Sequence, residues 1–174
     1  DKDLEKIIYY KCKYIIPNSR LTYEMINNMY ELGYNLKHPC SITFIDYKDI
    51  TNNSKQNKRK YDIAFICYSW SRKVKNYALV KSLIERKELK DYNILVIGKG
   101  QTKYSKNVEQ IDNCSNEEIL NYLLQTKLLC IPSLFDSCPN VLKEGLMCGC
   151  NIVLSKNVGS YEYFSVNNLV EDLD

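Results

Sequence analysis

From residue 61 onward, short and continuously apolar runs alternate with stretches of helical periodicity, and that alternation most constrains the fold. Ile63-Ala64-Phe65-Ile66-Cys67, Asn93-Ile94-Leu95-Val96-Ile97 and Leu128-Leu129-Cys130-Ile131 read as strands covered on both faces, as in a parallel sheet. Val108 to Ile111, Ile152-Val153-Leu154 and Asn168-Leu169-Val170 are shorter candidates. Between them, Val74, Tyr77, Val80 and Ile84 mark one helix. Ser115-x-x-Glu118 is a capping box opening a second, which carries Ile119, Tyr122 and Leu123. Pro139 opens a third and Gly149 closes it. This order predicts an α/β fold, a Rossmann-like open parallel sheet with right-handed crossovers. Ligands of such sheets sit beyond the carboxyl ends of the strands, which directs attention to the loops after 67, 97, 111, 131 and 154.

The first 50 residues read as a shorter β-α-β piece. Tyr14-Ile15-Ile16 is a strand ended by Pro17. Asn18 or Ser19 caps a helix with Leu21, Met25, Met29 and Leu32 at helical spacing and Gly33 as its stop. Ser41 to Asp46 is a β-branched and aromatic second strand. The polar stretch 51–60, with Lys55, Lys58, Arg59 and Lys60, reads as a solvated linker before a domain over 61–174. A net charge of +3 is too mild to argue for nucleic acid by itself, and none is expected as a partner. No apolar run reaches the roughly 20 residues of a membrane span. The eight cysteines show no CxxC pairing, and Cys67 and Cys130 lie inside apolar runs, so buried reduced thiols are expected, as in a cytoplasmic protein. His38, the single histidine, is expected to be structural or solvent-facing.

Residues 132–150 carry the most chemistry. After the strand ending at Ile131, a loop presents Asp136, and a helix begins near Pro139 with its unpaired N–H groups and positive end toward the strand-end crevice. That arrangement suits a pyrophosphate. Glu144, one turn beyond Asn140, can face the same crevice and accept hydrogen bonds from a diol such as a ribose. Taken singly, Asp136 could be only a helix-approach cap, and Glu144 only a solvent-exposed helix residue. Tyr68 and Trp70 either stack on a base or sugar or pack between loops.

This segment resembles the donor-site motif of the family 4 retaining glycosyltransferases, the group 1 sugar transferases. Their pattern is an acidic residue, seven residues, a Glu, then Ala-Met-Ala-Cys-Gly before a strand. Asp136, seven residues and Glu144-Gly145-Leu146-Met147-Cys148-Gly149 follow it. Asn157-Val158-Gly159-Ser160 stands where the family has Val-Gly-Gly, and Gly98-Lys99-Gly100 where it has Gly-Asp-Gly. The resemblance implies the C-terminal, nucleotide-sugar-binding domain of a GT-B fold, with residues 1–50 as the end of an acceptor-side domain or an interdomain piece, and an N-terminal acceptor domain as an expected partner. It implies that Glu144 holds the ribose, that Asp136 contacts the transferred sugar, and that 137–141 (Ser137, Cys138, Pro139, Asn140, Val141) receive the diphosphate. Lys75-Asn76 fits the family's Lys-Gly position, whereas the usual Gly-Arg is replaced by Ser69-Trp70 with Arg72 displaced by two residues. Lys75 and Arg72 would neutralise the leaving group without a metal, and Gly98 would approach the nucleotide.

The implied activity is transfer of a sugar, with retention, from a UDP- or GDP-sugar to an unknown glycan, protein or lipid acceptor. The donor is a substrate, and no cofactor or metal is expected. The family's acceptor-side His has no counterpart here, so this chain alone is expected to bind donor and transfer poorly. One alternative is a non-catalytic nucleotide-sugar or glycan-binding module of the same fold. A dinucleotide oxidoreductase is disfavoured, because no G-x-G-x-x-G follows any strand.

Overall fold

The computed structural model describes residues 7, 9–30, 59–104, 107–160 and 169–171. Six strands form one parallel sheet: β1 (Tyr61–Ser69), β2 (Ile94–Lys99), β3 (Val108–Ile111), β4 (Thr126–Ile131), β5 (Asn151–Leu154) and β6 (Leu169–Glu171). Their spatial order is β3-β2-β1-β4-β5-β6. The chain therefore builds outward from β1 in one direction, returns, and continues past β4 in the other. This reversal opens a crevice between the carboxyl ends of β1 and β4. The expected parallel α/β sheet is present.

Both sheet faces are covered, which is why the strands read as unbroken apolar runs. Ala64, Ile66, Leu95, Ile97, Leu129, Ile131 and Ile152 point to one face. There they meet α3 (Asn116–Leu124) and α4 (Asn140–Met147) through Leu123 and Leu142. Phe65, Ile94, Val96 and Cys130 point to the other and pack on Val80 and Ile84 of α2 (Tyr77–Ile84). Gly145 lets α4 lie close to the sheet. A Cβ there would stand 2.5 Å from Leu129 Cδ2 and 3.2 Å from Ile152 Cδ1. The Ser115–Glu118 capping box forms in both directions, and Gly149, at φ 72°, ends α4.

Four expectations change. The helix marked by Val74 is interrupted. Lys73–Lys75 make a 3-10 turn, Asn76 takes φ 56°, and α2 starts only at Tyr77. Asn tolerates this left-handed conformation better than most residues, and the position is one where the resembled family has Gly. Residues 14–16 form no strand; only Ile15 makes a bridge, and Tyr14 and Ile16 are exposed. In α1 (Arg20–Tyr30), which Ser19 caps by accepting from the Thr22 N–H at 3.2 Å, the buried pair is Ile26 and Tyr30. Met25 and Met29 face outward. Tyr9 and Ile15 pack on the Ile26–Tyr30 side, and the Tyr9 and Tyr30 rings meet at 4.9 Å. His38, the strand at 41–46 and residues 51–58 lie outside the described residues.

The fourth change concerns the end of the basic stretch. Arg59 is half-buried and clamps the ends of two helices. Its guanidinium donates to the carbonyls of Cys148 (2.9 Å) and Gly149 (3.0 Å) beyond α4, to Leu123 O at the end of α3 (3.3 Å), and to Thr126 O. Helix C-termini leave carbonyls without intrahelical partners, and a cation there also opposes the helix dipole. Arg59→Ala is expected to lower stability by about 2 kcal/mol, the scale of losing hydrogen bonds from a charged donor. Arg59→Lys should recover little, because an ammonium lacks the planar fork. Urea unfolding of the three proteins measures this; equal midpoints would remove the clamp.

Seven cysteines are described and all are free thiols, Cys130, Cys148 and Cys150 buried. Burial pushes the Cys67, Cys130 and Cys148 thiols up to about 12. They behave as small apolar side chains rather than nucleophiles. No described helix is long and apolar enough to cross a membrane.

Candidate functional site

A cleft of about 460 Å³ opens at the carboxyl edge of the sheet, where the strand order reverses. Its floor is Ile66 and Ile97 from β1 and β2, and its walls are the first turns of α3 and α4. Asp136 and Glu144 both line it, with Arg72, Lys75, Gly98, Cys138, Pro139, Asn140 and Val141. Of the residues assigned to the donor site from sequence, Ser137 does not line the cleft. Its hydroxyl accepts from Asn18 Nδ2 at 3.5 Å, and its carbonyl lies 3.4 Å from the Ser160 hydroxyl. Asp136 and Val158 pair as a local bridge, so alternate residues of this segment point to opposite sides, and Ser137 meets the 18–19 segment instead.

Asp136 is held by its backbone. Its N–H donates to Asn157 O (3.1 Å), and its carbonyl accepts from Gly159 N (2.8 Å). The neighbouring Leu134 N–H donates to Val74 O at 2.8 Å, tying the loop after β4 to the loop after β1. Through that tie Lys75 reaches Asp136, and the two side chains form an ion pair at 16% and 18% exposure. Asp136 Oδ1 also lies 3.4 Å from the Cys138 N–H. The capping role considered from sequence is therefore weakly present, and the stronger partner is Lys75. Arg72 stands exposed at the rim, and no described residue pairs with its guanidinium.

Pro139 is the N-cap of α4 and contributes no side-chain cap. Among the described residues none accepts from the N–H groups of Asn140 or Val141. The helix thus presents open donors to a cleft already supplied with Lys75 and Arg72. Glu144 stands one turn farther along, half-buried, with no hydrogen bond or ion pair to its carboxylate among the described residues. Burial raises its pKa, and the Lys143 charge only partly opposes this. An acceptor held without a protein partner beside an anion-binding helix end is the arrangement a ligand diol would complete.

The two aromatic candidates separate. Trp70 is buried and stacks on Tyr77 with ring centroids 5.5 Å apart, so it packs between loops. Tyr68 lines the cleft mouth, 76% exposed, with Lys99 Nζ 5.1 Å from its ring. Gly98, at φ 136°, faces the cleft where a Cβ would collide with Cys67 O and stand 2.9 Å from Trp70 Nε1. One wall has no counterpart among the site residues singled out from sequence: Asp112, Asn113 and Cys114 from the turn between β3 and α3, with Asn116 and Ile119 from the first turn of α3. The strand-end rule points to the loop after Ile111, but neither spacing nor residue type marks these positions.

No curated protein sequence matches the chain. Its structure is similar to sucrose-phosphate synthase from Thermosynechococcus elongatus, with TM-score 0.71 at 16% identity over 100% of this chain and 50% of that one. It is also similar to a UDP-forming α,α-trehalose-phosphate synthase from Burkholderia xenovorans, with TM-score 0.70 at 12% identity over 98% and 53% of the two chains. TarM gives TM-score 0.69 at 16% identity over 99% of this chain and 36% of that one. The chain thus spans about half the length of the two synthases. At these identities the likeness concerns the fold. The sequence itself matches the family model described as glycosyl transferases group 1 over residues 49–169, well beyond half of its length. This chain belongs to the group 1 glycosyltransferase family.

Proposed function

We propose that this chain supplies the donor site of a glycosyltransferase, with residues 61–174 binding a nucleoside-diphosphate sugar and residues 1–50 closing an acceptor-side domain. The observation that carries this reading is the shared cleft. Asp136 and Glu144 line one hollow whose nearer end offers Lys75, Arg72 and the open amides of α4. A diphosphate would take the cationic end. Its ribose diol would donate to Glu144, and hydroxyls of the sugar would meet Asp136. In transfer, the bond between the anomeric carbon and the β-phosphate oxygen breaks, its electron pair stays on that oxygen, and the acceptor hydroxyl oxygen bonds the carbon and gives its proton to the leaving phosphate. Charge grows on the leaving phosphate, where Lys75, Arg72 and the helix end supply opposite charge without a metal. Retention follows from the donor-motif resemblance. The acceptor (glycan, protein or lipid) would belong to the other domain. The free thiols favour a reducing compartment such as the cytoplasm.

The Glu144 role has a pH signature. A diol donates to an ionised carboxylate, so binding favours the deprotonated form. The raised pKa of the free chain therefore means that affinity climbs as pH rises through the Glu144 titration and levels off above it. For the free fold the sign is opposite: a carboxyl with raised pKa favours the folded state at low pH, and this contribution is lost as pH rises. Calorimetry of UDP and GDP binding against pH tests the role. Glu144→Ala should lose about 1.5–3 kcal/mol of binding at neutral pH, the worth of hydrogen bonds to a charged group. Glu144→Gln should lose the part of the pH dependence not due to the phosphate's own titration. Unchanged affinity in Glu144→Ala would exclude the ribose contact.

A further inference from the structure

The proposed donor reading leaves the base open, and the wall between β3 and α3 bears on it. The cleft has two chemically different ends. At the β4–α4 end stand open helix amides and Lys75, paired with Asp136, with Arg72 in the loop after β1; at the β3 end stands Asp112, and apolar Ile97 and Ile119 line the same cleft. The two ends are separated by three strand spacings, since β4, β1, β2 and β3 are successive neighbours. That is roughly 14 Å, the reach of an extended nucleoside diphosphate, and Glu144, one turn along α4, lines the same cleft. A phosphate is attracted to the first end and repelled by the second. The ligand is therefore oriented with its base toward Asp112.

The Asp112 carboxylate is exposed in the cleft and makes no hydrogen bond or ion pair among the described residues. Ionised, it is an acceptor only, with two oxygens able to take two parallel donors. Guanine offers that pair, N1–H beside the N2 amino group. Uracil offers one N3–H between two carbonyl oxygens, both of which the carboxylate repels. Adenine and cytosine each place a ring acceptor beside a single amino group. We propose that Asp112 reads the Watson–Crick edge of the base and makes this site selective for a guanosine diphosphate donor over a uridine diphosphate one.

An amide at the same position levels the match. Asn presents one acceptor and one donor, which suit N3–H and a carbonyl of uracil and equally N1–H and O6 of guanine, so the advantage that guanine draws from two adjacent donors is lost. Calorimetric titration of the chain with GDP, UDP and ADP, before and after Asp112→Asn, therefore tests the assignment. The expected result is GDP binding about tenfold or more tighter than UDP or ADP, the scale of one bidentate base contact, with Asp112→Asn weakening GDP by a similar factor while UDP binding holds or improves. Equal binding of the three nucleotides, tighter UDP, or a GDP preference that survives Asp112→Asn would overturn the base assignment and leave the donor site standing. Failure of every nucleotide to bind the unmodified chain would overturn the donor site, and the base assignment with it.

Discussion

Lys75→Ala is expected to weaken binding of a nucleoside diphosphate by about 30- to 1,000-fold, or about 2–4 kcal/mol, the larger part of what the cationic end of the cleft provides. Two losses combine. The ammonium no longer meets the diphosphate, and Asp136, whose partner it is, becomes an uncompensated negative charge beside the incoming phosphate. The second loss can be separated. Asp136→Asn in the Lys75→Ala background removes the stranded charge and should recover a measurable share, so the two substitutions will be non-additive. Asp136→Asn alone should leave GDP or UDP binding equal or tighter, because Lys75 is released and a like charge is gone. Calorimetry on the four proteins reads the cycle. Additive losses would mean that the ion pair lies outside the binding event.

Gly98→Ala is expected to lower stability by about 3 kcal/mol and the unfolding temperature by roughly 10 °C. At φ 136° only glycine rests without strain, and the added methyl would be driven into the Cys67 carbonyl of the adjacent strand with Trp70 close behind. A backbone carbonyl cannot rotate aside as a side chain can. Relief requires β1 and β2 to separate at their carboxyl ends, where the Trp70 backbone N–H donates to Lys99 O at 2.8 Å. Gly145→Ala offers the contrast. Its nearest neighbour is the end of the Leu129 side chain, and alanine is the better helix former, so its cost should be much smaller. Thermal unfolding of both variants decides the order. A Gly98→Ala protein as stable as the parent would show that the strand ends are pliable and the cleft floor loosely set.

What could be read from sequence follows the range of each physical cause. The six strands, the Ser115–Glu118 cap and the Gly149 stop depend on residues within a turn or a strand of one another, and they appear as anticipated. Asp136 and Glu144 were legible for the same reason, since one loop and one helix carry both. Lys75 reaches Asp136 only through a backbone tie between two loops 61 residues apart, but residue type and place after β1 were enough to single it out. The missed features have distant causes. Arg59 finds its carbonyls 64 to 90 residues downstream, so a basic stretch that looks solvated from sequence ends in a helix clamp. The outward stripe of Met25 and Met29 has good helical spacing, yet Tyr9 and Ile15 select the Ile26–Tyr30 side. Asn76 breaks a periodic run by adopting a backbone conformation that periodicity does not register. Asp112 enters the cleft solely because β2 and β3 line up beside β1, a fact of topology.

Backbone-amide NMR of the isotope-labelled chain, titrated with GDP and UDP, decides whether the α4 N-terminus receives the nucleotide. Saturable shifts are expected, concentrated at Cys138, Asn140 and Val141, with neighbouring shifts at Lys75, Gly98 and Glu144, all abolished or much weakened in Lys75→Ala. Shifts absent from the α4 N-terminus, or gathered instead at the separate hollow lined by Glu85, Lys87, Lys103 and Tyr104, would contradict it.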